Sequence, residues 1–210
     1  MQVSAEIRWF WRSTPPPGLE EWFCKADAHC CSVGGGGKRL DEYLLDDQQV
    51  ELSLKRRGGK PGVEVKGLVA VTWGSLMVGP FAGPVELWTK WTSDPLELTK
   101  PTIAIKKQRW LRKFNTSVFL PQEIPLDCDE RPLNNYSLPT LGCNVELTKI
   151  KLPNCDIWWT FGFEAFGTIR TVENDLRAVA TVLVNRKPPK FEDGLLSSYP
   201  AWINERAREI

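Results

Sequence analysis

The chain lacks any run of about eighteen apolar residues, the length that carries a helix across a bilayer, so no membrane-spanning helix is expected. It also lacks an excess of either charge. Twenty-seven Lys and Arg stand against 26 Asp and Glu, which argues against a protein that holds nucleic acid by bulk charge and leaves room for a local basic site. There is one histidine, His29, and none of the six cysteines forms a Cys-x-x-Cys pair. Zinc sites are usually built from such short-spaced pairs. Cys24, His29, Cys30 and Cys31 are close in sequence without that spacing, and reduced structural thiols in a reducing compartment fit better. MQVSAEIRWFW has no basic region leading into an apolar stretch, so no secretory leader is expected and a cytoplasmic protein is. Gly34 to Lys38 is not a Walker loop, because Ser32 stands where the first glycine belongs and Arg39 follows Lys38.

What the chain has in quantity is alternation. Val3, Ala5, Ile7, Trp9 and Trp11 fall on one side of a first strand, with Ser4, Glu6, Arg8, Phe10 and Arg12 on the other. VELSLKRRGGKPGVEVKG reads as a hairpin: Val50, Leu52 and Leu54 oppose Glu51, Ser53, Lys55 and Arg57, and Val63 and Val65 oppose Glu64 and Lys66. RLDEYLLDD is a further strand. Residues 67 to 84, punctuated by glycine and proline, read as a loop-rich connection with strand character near Val69 to Trp73. VELWTKW, TIAIKKQRWLRKF, NVELTKI and WWTFGFEAFG each alternate again, and residues 120 to 142 look like an irregular crossover.

Two helices are expected. LEEWFCKADAHC spaces Leu19, Trp22, Phe23 and Ala26 helically, with Glu20 and Glu21 in the first turn, where carboxylates suit the helix dipole. The second is capped by Thr171 and carries the stripe Val172, Leu176, Val179, Ala180 and Leu183. In the tail, Tyr199, Trp202 and Ile203 are expected to dock on the body. The whole reads as one domain over 1–210, mostly β within an α+β class: an antiparallel closed barrel over about 3–166, a helix over about 171–185 and a tail over 186–210. A closed barrel leaves no exposed edge.

Such a barrel can carry its charges outside, in solvent, or inside, lining a tunnel with its apolar face packed outward beneath helices. Charges of both signs recur in mid-strand, as in Glu6-x-Arg8, Lys55-x-Arg57, Glu64-x-Lys66 and Glu86-x-Trp88-x-Lys90. Both apolar helical stripes also need a partner outside the barrel. These two observations favour the tunnel.

The order of these segments resembles the CYTH, or triphosphate tunnel metalloenzyme, superfamily. AEIRWFW occupies the place of its opening Glu-x-Glu-x-Lys strand, Lys55 and Arg57 match a basic Arg-x-Arg strand, and VEVK ends in Lys66. Lys90, Lys106 and Arg109 lie on further basic strands, and VELTKI and FGFEAFG place Glu146 and Glu164 on late acidic strands. The resemblance implies a tunnel that takes a polyphosphate end-on. Glu6, Glu146 and Glu164 would be the catalytic carboxylates and the ligands of Mg or Mn, and Lys55, Arg57, Lys66, Lys90, Lys106 and Arg109 the phosphate clamp, with Arg8 also on substrate. The chain departs from the pattern at Arg8 and Phe10 in the opening motif, and at Gly162 and Thr148, where relatives often keep acids.

Three readings follow: metal-dependent hydrolysis of an inorganic, nucleoside or organic triphosphate; a degenerate relative that binds a phosphate-bearing ligand without turning it over; and a barrel for an aromatic or apolar small molecule. The partner in the first two is a small anion, with no nucleic acid and no membrane. Lys107, Arg112 and Lys113 read as a solvated rim, and Trp158 and Trp159 as packing residues.

Overall fold

Strand β1 (Gln2–Arg12) is buried along nearly its whole length, so both of its faces have partners. It is followed by helix α1 (Leu19–Lys25) and strands β2 (Gly37–Leu44), β3 (Leu52–Arg57), β4 (Val63–Val78), β5 (Phe81–Ser93), β6 (Thr102–Asn115), β7 (Gln122–Ile124), β8 (Gly142–Lys151) and β9 (Ile157–Gly167). Helix α2 (Val172–Val184), strand β10 (Leu195–Leu196) and helix α3 (Tyr199–Ala207) complete the chain. The computed structural model describes residues 2–25, 37–45, 50–58, 60–98, 101–127 and 129–209.

Eight strands pair antiparallel in the order β1-β5-β4-β3-β2-β6-β8-β9, and β9 returns to β1 over ten residue pairs from Val3–Gly167 to Arg12–Trp158. That return closes the barrel, so the fold is the expected closed, mostly β architecture with flanking helices. Beyond Glu6, β1 parts from β5, and the short β10 takes up the freed edge opposite Trp9 and Phe10. Pairing an edge in this way removes a site for unwanted strand addition.

The apolar side of the strands faces outward. Ile7, Trp9, Val85, Leu87, Val145, Leu147, Phe161 and Phe163 form one buried cluster with Leu19 and Phe23 of α1 and the whole expected stripe of α2. Phe191 of the tail meets Trp9, Trp11, Phe81 and Phe161 edge-on. Trp22 and Trp11 donate their indole N–H groups to the carbonyls of Arg186 and Glu192, tying the tail to α1 and β1. Trp110 and Trp159 stack outside at 5.8 Å.

Two local expectations are corrected. Residues 67 to 84 are no loose connection: β4 runs unbroken to Val78 and turns at Gly79 (φ 57°) into β5. Of the glycines read as breakers, Gly74 instead ends a stretch of irregular pairing in which the register shifts from Leu68 onward. Gly74 is small because a Cβ there would come within 2.4 Å of the Glu173 carboxylate at the start of α2. Thr171 precedes α2 but its side chain makes no cap; its hydroxyl meets Thr168 instead. Ala26, and with it the end expected for α1, lies outside the described residues.

The tail does more than dock. Ser198 accepts from the Ala201 amide to cap α3. The helix then inserts Trp202 and Ile203 among Phe10, Tyr43, Ile103, Ile105, Ile150, Leu152 and Trp158, the inward residues at one end of the barrel. Trp202 stacks on Phe10 at 4.7 Å and meets Trp158 edge-on. One end of the barrel is therefore stoppered by an apolar plug.

Candidate functional site: a charged cavity closed at one end

Beyond the plug the inward positions turn polar and enclose a cavity of about 260 Å³. Nine basic side chains line it: Arg8, Arg39, Lys55, Arg57, Lys66, Lys90, Lys107, Arg109 and Lys113. Five carboxylates accompany them: Glu6, Glu64, Glu130, Glu146 and Glu164. The same strand alternation that buries the outer core aims all of these groups but Glu130 inward.

Of the residues expected at the site, Glu6, Arg8, Lys55, Arg57, Lys66, Lys90, Arg109, Glu146 and Glu164 all line the cavity, whereas Lys106 does not. On β6 the inward phase runs through Ile103, Ile105, Lys107, Arg109, Leu111 and Lys113, and Lys106 is exposed on the other face. Lys107 and Lys113, read as rim residues, belong to the cavity, a placement that the phase of Arg109 already contained. Arg112 is no solvated rim residue either. It is buried on the outer face, where it donates to the Phe23 carbonyl and pairs with Glu123. Arg39, Glu64 and Asn144 are also in phase with cavity positions, whereas Glu130 on a loop and Tyr199 on α3 carried no periodic signal. Trp88 is inward and fully buried, donating to Glu86 beneath the Lys66 ammonium. Phe10 belongs to the plug.

Each expected carboxylate already has a basic partner. Glu6 accepts from Lys66 and from Ser4. Glu146 lies between Arg109 at 2.7 Å and Arg8 at 3.1 Å. Glu164 accepts from Lys90 at 2.7 Å, and Glu64 from Lys55 at 2.6 Å with Arg57 at 3.7 Å. The departures at Arg8 and Gly162 are coupled. The two residues face one another across β1 and β9, and a Cβ on Gly162 would come within 2.8 Å of the Arg8 guanidinium carbon. The missing side chain leaves the room that the arginine occupies.

The electrostatics follow from burial and pairing. Burial pushes the Glu146 carboxyl up, but Arg109 and Arg8 outweigh it and hold it well below the usual range. Glu164 and Glu64 are likewise burdened by burial, yet Lys90 and Lys55, with their neighbours, bring each down to about 2. Lys90 is raised, chiefly by Glu164. Burial lowers Lys55 and Lys113, and lowers Lys107 strongly. Lys107 donates to the Tyr43 hydroxyl, lies 3.4 Å from Asp41, and sits 3.9 Å from the Tyr199 ring centre.

A divalent cation needs several free oxygen ligands converging on one point. Among the described residues no three His, Cys, Asp or Glu side chains are grouped to hold a metal ion. Glu6, Glu146 and Glu164 are each occupied by ammonium or guanidinium groups, with Arg8 standing where a cation would be repelled. The residues present do not fit Mg or Mn. His29, Cys30 and Cys31 lie outside the described residues. No described helix is long and apolar enough to cross a membrane. Compared with known proteins, the chain matches no family model and no curated protein sequence.

Proposed function

We propose that the barrel binds a small phosphate-bearing anion in its cavity without hydrolysing it, as a diverged relative of the triphosphate tunnel enzymes that the sequence resembles. The observation that carries this reading is the surplus of cations. Nine basic groups and five carboxylates line one space, and buried Asp41 behind Arg39 and Lys107 makes six acids to nine bases, each acid already with a basic partner. Cations gathered in a poorly solvated space repel one another, and an anion relieves them. Arg57 supports the reading: its buried Nε has no hydrogen-bond partner among the described residues, and its nearest carboxylate stands off at 3.7 Å. Guanidinium groups suit phosphate oxygens by their paired donors, while Lys55, Lys66 and Lys90 add point charges. An apolar ligand gains little from such a lining. The carboxylates keep the neighbouring lysines and arginines in place, and being so paired they offer no convergent set of free oxygens for the divalent ion that in-line phosphoryl transfer uses.

The test combines titration calorimetry of inorganic triphosphate with phosphate release in Mg²⁺, Mn²⁺ or EDTA, for wild type, Arg57→Ala and Glu164→Gln. Wild type is expected to bind without turnover. Arg57→Ala should bind about tenfold or more weakly, the worth of one charged hydrogen-bonding group. Glu164→Gln should bind as well or better, because it frees Lys90. Metal-dependent release lost in both variants would overturn the reading in favour of the hydrolase, and failure to bind triphosphate would remove both.

A further inference from the structure

One cavity carboxylate does not come from the barrel. Glu130 belongs to the segment between β7 and β8 and reaches inward to Arg109, meeting Nε at 2.8 Å and Nη2 as well, a two-pronged contact. A guanidinium offers the same pair of donors to two oxygens of a phosphate. Arg109 also holds Glu146 through Nη1, so Glu130 covers the Nε–Nη2 edge of the guanidinium.

The loop is built to present this one side chain. Asp127 accepts from the amides of Asp129 and Arg131 through Oδ1, and from the Glu130 amide through its carbonyl. The Asp127 amide donates back to the Arg131 carbonyl. Glu130 itself has φ 63°, a conformation that a residue with a Cβ adopts at some cost and keeps only where its surroundings hold it. Its side chain is still 31% exposed, whereas that of Arg109 is 9% exposed, so the carboxylate sits between solvent and the clamp.

We propose that Glu130 is a resident anion of the phosphate site, a specificity-determining residue that an incoming ligand must displace from Arg109. This rests on the phosphate reading above and narrows the ligand class. A monocarboxylate brings no more charge than the group it replaces, whereas a compact polyanion such as a di- or triphosphate does. The ligand class is therefore a small anion carrying several negative charges, and the contacts of Asp127 with Asp129, Glu130 and Arg131 loosen as it enters.

The test uses the full chain, with inorganic triphosphate, acetate and orthophosphate as probes, and compares wild type with Glu130→Ala and Glu130→Gln. Triphosphate is expected to bind Glu130→Ala about tenfold more tightly than wild type, with Glu130→Gln between them, and acetate to gain measurable binding only in the variants. Amide hydrogen exchange gives a second readout, since the Asp127, Glu130 and Arg131 amides should exchange faster in ligand-free Glu130→Ala, and in wild type once triphosphate is added. If wild type binds triphosphate but Glu130→Ala binds it equally or more weakly, the displacement is overturned and the phosphate reading stands. Unchanged exchange in ligand-free Glu130→Ala also overturns it. If neither wild type nor either variant binds triphosphate, the phosphate reading falls and the displacement falls with it.

Discussion

Arg8 and Gly162 show how a single side chain changes what a barrel interior can hold. An arginine in the lumen needs both an anionic partner and space. Glu146 supplies the first at 3.1 Å, and the bare Cα of Gly162 the second. Gly162→Ala should push the guanidinium off Glu146 and lower stability by about 1–3 kcal/mol, the usual cost of overfilling a packed site, measured by urea denaturation. The lumen carboxylates also dictate a pH response. Glu64 and Glu164 each fall from an ordinary 4.5 to about 2 in the folded chain. A group whose folded value is depressed contributes stability that is complete above its unfolded value and disappears as pH falls through the folded one. Melting temperature should therefore decline from about pH 4.5 toward 2, and Glu64→Gln should flatten that decline.

At the scale of elements, α3 is the part whose role the sequence concealed. Trp202 is fully buried and stacked on Phe10. Trp202→Ala should cost about 3–5 kcal/mol in denaturant unfolding and loosen the stopper, seen as accelerated amide exchange in β1 and β9. The strands themselves were legible, because Ile7, Trp9 and Phe161 on one phase and Glu6, Arg8 and Glu164 on the other keep a strict period of two. Which phase faced the lumen was not written in the period, since either face of a barrel can be apolar. The helical stripe of α2 carried that information by requiring an apolar outer wall. Where periodicity failed, so did legibility. Glu130 comes from an irregular loop, Tyr199 from a tail helix, and the length of β4 was hidden by glycines that serve close approach and register shifts. Lys106 was misplaced by one position on an otherwise well-phased strand.

The whole molecule is a barrel with its apolar side outward and its ion pairs within. Ion pairs removed from water gain little net stability when the cost of desolvation is counted. The outer cluster with α1, α2 and Phe191 is therefore what holds the fold, and the lumen is free to be chemically uneven. A lumen with surplus cations is stabilised by any anion it selects. Added triphosphate should raise the melting temperature above that in sodium chloride of equal ionic strength, with a gain approaching about 2.7 kcal/mol at a hundred times the dissociation constant.

Because α3 closes one end, traffic through the barrel is excluded. A long polymer of phosphates cannot be threaded from one side to the other; it can present only its terminus, and must back out by the path it entered. On the proposed phosphate reading, such a vessel would read chain ends rather than chain length. Short and long polyphosphates matched for the number of ends should compete equally for it, while a cyclic phosphate without ends should compete poorly.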